Sequence, residues 1–248
     1  MKKITHSLLL ILTLLSSFNA NALLIKLDFE TNTSTDMWGN VTSGFDVTQA
    51  GFASTEYTAI TENILAYVRE DFYSNAYAFI ANNQQLDIDF IIAKHATDVS
   101  GIDANNQTVQ IGSRISGPNN GFGVACLSCV SNQTVTSPTI FGSIFSNNIF
   151  SGLLTAAGGS WDLTELTNAI AGTLSHEIGH SLGLSHPSGP ESNPGESAYG
   201  LVATGASPSS MPNIERLKNR AFSDNSMQIL VQNIGLRTVQ IPVPEPST

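Results

Sequence analysis

The segment His176-Glu177-Ile178-Gly179-His180-Ser181-Leu182-Gly183-Leu184-Ser185-His186 constrains this chain more than any other stretch of it. Histidines four apart on a helix stand one turn above each other, so both imidazoles can reach one ion. A straight helix cannot carry His186 to the same point. Gly183 accepts left-handed backbone angles, so the helix can stop there and turn His186 back toward the ion. Pro187 then prevents the helix from resuming. Three neutral imidazoles leave a fourth position open for water, which is the pattern of a catalytic rather than a closed structural zinc site. The chain has five histidines, and three of them lie in this segment. His6 falls in the N-terminal leader, and His95, which follows a strand, reads as a surface residue rather than a ligand.

The segment ends a predicted helix, Asp162 to Leu182. Asp162 with Glu165 three residues later resembles a capping box, with Asp in place of Ser or Thr. Leu163, Leu166, Ile170, Leu174, Ile178 and Leu182 step by three and four, a stripe that faces a core. His176 and His180 fall on the opposite side, so packing does not explain them. Upstream, Leu23 to Glu30 alternates as a strand, and residues 31 to 54 read as loop. Ile60, Ile64, Leu65, Val68 and Phe72 follow helical spacing over about Thr55 to Tyr73. Leu86, Ile88 and Phe90 alternate with Asp87 and Asp89, a strand with one wet face; the two aspartates read as solvated or as calcium ligands. Thr108 to Ile115, Phe122 to Cys126 and Ile140 to Phe145 are further strand candidates, with a turn at Gly117 to Gly121. Gly, Pro and Ser dominate from about residue 190 to Asn213. A last helix is expected from Ser223 to about Ile234.

The pattern His-Glu-x-x-His-x-x-Gly-x-x-His resembles that of the metzincin metallopeptidases. The order strand, helix, several strands and then metal-binding helix is also similar, so the resemblance spans residues 23 to about 237. It implies an α+β, metzincin-like zincin fold. That fold has a mixed twisted sheet, a packed helix and an active-site helix, then a loop-rich C-terminal subdomain with one helix. It implies an upper lobe of about 23–183 and a lower lobe of about 184–237. It further implies that His176, His180 and His186 hold Zn2+ and that Glu177 is the catalytic general base. Metzincins also carry a Met-containing turn beneath the metal. Here Tyr199 to Gly205 has the better shape, with Val202 where Met would stand, and Met211 is the other candidate.

Export is expected as well. Lys2 and Lys3, the apolar run Leu8 to Leu15 and the small residues of Ala20-Asn21-Ala22 read as a signal peptide over residues 1–22. The chain carries a formal charge of −10, which becomes −12 once Lys2 and Lys3 are removed. Nucleic acid and anionic lipid both need clustered Lys and Arg, so neither is an expected partner. Cys126 and Cys129, in an oxidising compartment, read as a small local disulfide away from the metal. The Pro-rich tail of residues 238–248 ends in Val243-Pro244-Glu245-Pro246-Ser247-Thr248, which resembles the opening of a sorting signal read by exosortases. That signal continues into an apolar helix, the one route by which a membrane would enter.

The resemblance implies a secreted zinc endopeptidase acting on protein or peptide substrates, with the cell surface or matrix as a second destination. An exposed strand edge would receive the substrate, and Ile140 to Phe145 is one candidate for it. Two other functions share the metal: a zinc-bearing, non-catalytic matrix or binding protein, and a zinc hydrolase of a non-peptide amide. The intact Glu177 argues against the first, since a scaffold needs no base beside its metal.

Overall fold

The computed structural model describes residues 22–29, 33–93, 106–130 and 139–239. The leader up to residue 21, His95 and the tail from residue 240 lie outside the described residues. The strands are β1 (Leu23–Asp28), β2 (Ser34–Thr35), β3 (Val41–Gly44), β4 (Gln84–Leu86), β5 (Ile88–Ala93), β6 (Asn106–Ser116), β7 (Gly123–Ala125), β8 (Thr139–Phe145) and β9 (Leu236–Thr238). The helices are α1 (Tyr57–Tyr73), α2 (Ser146–Leu153), α3 (Leu163–Ser181) and α4 (Asp224–Ile234). The fold is α+β, with a mixed sheet and helices packed on it, as expected. No helix among the described residues is long and apolar enough to cross a membrane.

The long strand β6 organises the sheet. One side takes β8 in parallel. The other side takes β1 in parallel along its first half and β3 antiparallel along its second. A Cβ at Gly112 would overlap the Ser43 carbonyl, so only glycine lets β3 join there. β5 runs parallel to β1 on its outer edge, and β7 pairs antiparallel with β8. β7 pairs with β8 alone, so its other edge is unpaired among the described residues. The substrate edge expected at Ile140 to Phe145 is therefore displaced: β8 is paired on both sides, and β7 presents the free edge.

Ile25 and Leu27 of β1, Phe90 of β5 and Val109 of β6 build the core with the α1 stripe Ile60, Ile64, Val68 and Phe72. Phe72 meets Phe90 and Phe222 at ring distances of 5.0 Å each, tying α1 to the sheet and to the C-terminal region. Burial of a large apolar side chain contributes about 1.5–3 kcal/mol, so this seam strongly fixes α1 against the sheet. α3 is buried on nearly every side from Leu166 to Gly179, and not along one stripe. Leu163, expected in that stripe, is 41% exposed, because the first turn projects beyond the packed helices.

Further features depart from the sequence reading. The loop expected over 31–54 contains β2, β3 and a short 3₁₀ helix, Val47–Ala50. The strand expected around Leu86 to Phe90 breaks at Asp87, with β4 pairing to β9 and β5 to β1. Arg237 of β9 lies 2.5 and 2.8 Å from the two Asp89 carboxylate oxygens and 3.9 Å from Asp87. Asp87 and Asp89 thus share a guanidinium and form no calcium cluster, and Asp89 keeps a side chain 46% exposed to solvent, as a wet face would.

Candidate metal centre

Local rules set the ends of α3. Asp162 caps the first turn by accepting from the Glu165 amide at 2.8 Å, and Glu165 returns toward the Asp162 amide. At the other end Gly183 has φ +101°. The Gly183 amide donates to His180 O at 3.0 Å and the Leu184 amide to Gly179 O at 2.9 Å, the two bonds of a Schellman motif. Asn233 of α4 adds a bond from Nδ2 to Leu182 O at 2.7 Å. The chain reverses there, as Gly183 led one to expect, and His186 returns to the helix.

The three imidazoles converge. Nε2 of His180 lies 2.9 Å from Nε2 of His176 and 2.8 Å from that of His186, and the remaining pair is 3.2 Å apart. The opposite nitrogens are tied to backbone: His176 Nδ1 to Leu201 O at 2.8 Å and His180 Nδ1 to Leu184 O at 2.7 Å. A carbonyl only accepts, so each Nδ1 carries the proton and each Nε2 keeps its lone pair. Lone pairs facing each other at these distances repel unless a cation lies among them. Burial pushes His176 well below the usual imidazole range, with His180 adding to the effect. Burial also lowers His180 and His186. Neutral nitrogen donors with their outer N–H groups anchored fit a zinc ion.

Glu177 stands beside them in a cleft of about 500 Å³ that Gly123, Thr173, Thr204 and Arg216 also line. It is 7% exposed. Burial pushes its carboxyl up to about 8, against the pull of Arg216; a dication nearby would restore the charged form. β7 packs directly on it, since a Cβ at Gly123 would stand 2.8 Å from Glu177 Cγ.

The turn that follows the motif reaches the same helix. Leu201 O, which receives His176 Nδ1, also lies 3.4 Å from Arg220 Nη1. Val202 is buried, and its Cγ1 would stand 3.3 Å from a Cβ at Gly179. Met211 is buried too, but its sulfur lies 3.8 Å from Arg220 Nη1 and its amide donates to Thr204 O. Val202 thus lies against the metal helix, and Met211 sits by Arg220.

Cys126 and Cys129 form a disulfide, as expected. Their loop is not remote from the metal helix. The Ser128 amide donates to His180 O and the Val130 amide to Ser181 O, each at 3.0 Å. The sequence reading also missed Gly123, Arg216 and Arg220. The two arginines had one signal: they are among only ten basic residues in the chain and follow the motif closely.

Among solved structures, the chain is similar to an archaemetzincin from Methanopyrus kandleri at 14% identity, over 88% of this chain and 98% of that one, with a TM-score of 0.43. It is similar to a zinc-dependent peptidase from Methanocorpusculum labreanum at 12% identity, over 83% and 99%, with a TM-score of 0.42. No curated protein matches its sequence. Residues 52–187, more than half of the chain and the whole of the histidine segment, match the family described as metallo-peptidase family M12B, reprolysin-like. The chain belongs to the reprolysin-like M12B metallo-peptidases.

Proposed function

We propose that this zinc-dependent peptidase is an exported endopeptidase in which His176, His180 and His186 hold the zinc and Glu177 is the general base. The observation that supports it best is the convergence of three Nε2 atoms with a buried carboxyl on the residue next to His176. Zinc, when bound, supplies a Lewis acid that acidifies water to a pKa of about 7 and polarises a carbonyl. Leu201 O and Leu184 O hold the His176 and His180 rings in the ligating tautomer. Glu177 takes the proton of the attacking water and passes it to the departing amine. The free edge of β7 receives the substrate as an added strand. Export through residues 1–22 and surface sorting through Val243 to Thr248 belong to the same proposal and rest on sequence.

Two variants test it. Glu177→Ala should keep near-stoichiometric zinc and lose turnover by about 10²- to 10⁴-fold. His180→Ala should lose zinc and activity together. Peptide cleavage by Glu177→Ala at the parental rate would remove Glu177 from the base role. A zinc-loaded parent that cleaves nothing across a broad peptide library would favour a zinc-bearing binding protein.

A further inference from the structure

Arg216 sits on the 3₁₀ helix Asn213–Leu217, which packs on α3, and its side chain lines the catalytic cleft. It is only 8% exposed. Its guanidinium carbon lies 5.1 Å from the centroid of the Phe122 ring. A Cβ at Gly205 would stand 3.4 Å from its Nη2. Its Nε is buried without a hydrogen-bond partner. Of its neighbours, Lys218 pairs with Glu215 at 2.6 Å, and Arg220, also buried without an ion pair among the described residues, reaches Leu201 O and the Met211 sulfur inside the fold and does not line the cleft. Arg216 forms no ion pair among the described residues, in a chain with 20 acidic groups against 10 basic ones. Glu177 influences it electrostatically without closing to ion-pair distance. A buried charge is ordinarily paired, and no described residue closes to ion-pair distance with this one.

We infer that Arg216 receives a substrate carboxylate, so that the enzyme selects an acidic side chain beside the scissile bond. The inference rests on the peptidase reading above. A guanidinium offers a planar fork of donors that matches a carboxylate. Phe122 packs against the guanidinium from one side.

The strand direction places the acidic residue. β7 leaves Phe122, passes Gly123 over Glu177, and continues to Ser128 at the His180 end of α3. A peptide added antiparallel to β7 therefore runs from the His180 end toward Phe122 and Arg216. Its acidic residue then follows the scissile bond.

The first measurement needs no turnover. Zinc-loaded Glu177→Gln is titrated calorimetrically, at low salt, with a blocked tetrapeptide amide carrying Asp and with its Asn counterpart. A charge-assisted pair should make the Asp peptide at least about tenfold tighter. Adding Arg216→Gln should reduce the preference to below about twofold, and Arg216→Lys should retain part of it. A role confined to packing or to the charge of Glu177 would weaken both peptides alike. Equal affinity for the two peptides, or a preference that survives Arg216→Gln, overturns the inference. If Arg216→Gln fails to fold, Arg216→Lys decides: a reduced preference for the Asp peptide supports the inference, and an unchanged preference overturns it. A third peptide, Asn with a free C-terminus, separates the two sources of carboxylate. Tighter binding of that peptide than of the Asp amide overturns the side-chain assignment.

The second measurement is cleavage by the parent of quenched peptides with Asp before or after the bond. Preferred cleavage before Asp supports the placement, and preferred cleavage after Asp overturns it. Binding preference without any cleavage would sink the peptidase reading and leave the carboxylate site standing. Cleavage without an acidic preference would do the reverse.

Discussion

Gly123 and Glu177 touch so closely that a side chain at position 123 has no room: its Cβ would stand 2.8 Å from Glu177 Cγ and 2.9 Å from Oε1. β7 and α3 are thus fitted to each other at the Glu177 carboxyl. Gly123→Ala should push Glu177 aside without touching a histidine. We expect turnover to fall at least tenfold while zinc content and melting temperature stay near the parent's. Metal analysis alongside kcat checks this; an Ala variant of full activity would mean that Glu177 can swing without consequence.

The disulfide loop should matter locally and little globally. A loop closed by Cys126 and Cys129 contributes about 2 kcal/mol at most by chain entropy. The loop's amides at Ser128 and Val130, however, satisfy the final carbonyls of the metal helix at His180 and Ser181. On reduction, hydrogen exchange at those two amides should accelerate well before the amides in the middle of α3. Uniform acceleration across α3 would show that the bond holds the whole helix and not its end.

The sheet's acidic edge should respond to pH in a defined direction. Hydrogen bonding from Arg237 holds the Asp89 carboxyl below its ordinary value. A carboxyl depressed in the fold adds stability above its unfolded pKa of about 3.9, and loses it as pH falls through the lower folded value. Asp89 and Arg237 are both partly exposed, so the pair contributes about 1 kcal/mol or less. Arg237→Ala should therefore lower the urea midpoint slightly at pH 7. The difference from the parent should shrink as pH falls below the unfolded value of about 3.9. A gap that widens on acidification would contradict the assignment.

The site was more legible in the sequence than the fold around it. His176, His180, Gly183 and His186 follow from helix geometry and one glycine, which are local rules. The cap at Asp162 was readable for the same reason. Long-range pairing was not readable. Nothing within Val41–Gly44 announces a strand, because Thr42 and Ser43 are polar and its partner lies some seventy residues away in β6. α2, Ser146–Leu153, starts with Ser-Asn-Asn directly after a strand, where short polar residues favour turns over helix interiors. Arg216 and Arg220 had only the scarcity of basic residues to mark them, since only the return of the chain after residue 190 carries them to α3. Asp87 and Asp89 looked solvated because the residue that faces them, Arg237, lies at the far end of the described chain.

The turn at Gly183 gives the most exposing test of the metal centre, because it separates the helix from its third ligand. Gly183 has φ +101°, and a Cβ there would stand 2.8 Å from Asn233 Nδ2, the group that caps Leu182 O. Gly183→Ala meets left-handed strain of at least about 1 kcal/mol together with that collision. α3 up to Ser181 keeps its packing, so His176 and His180 remain in place. His186 lies beyond the turn, is exposed, and has no core packing to hold it. The variant should therefore keep two ligands and lose register on the third. Free zinc at a hundred times its Kd stabilises a fold by about 2.7 kcal/mol, so the parent should lose several degrees of melting temperature on chelation. Gly183→Ala should start lower and lose much less on chelation, because it binds zinc weakly from the outset. Its circular dichroism should stay that of the parent. An equal chelation shift in both proteins would show that His186 reaches the ion without the glycine turn, and that the spacing of the motif matters less than its histidines.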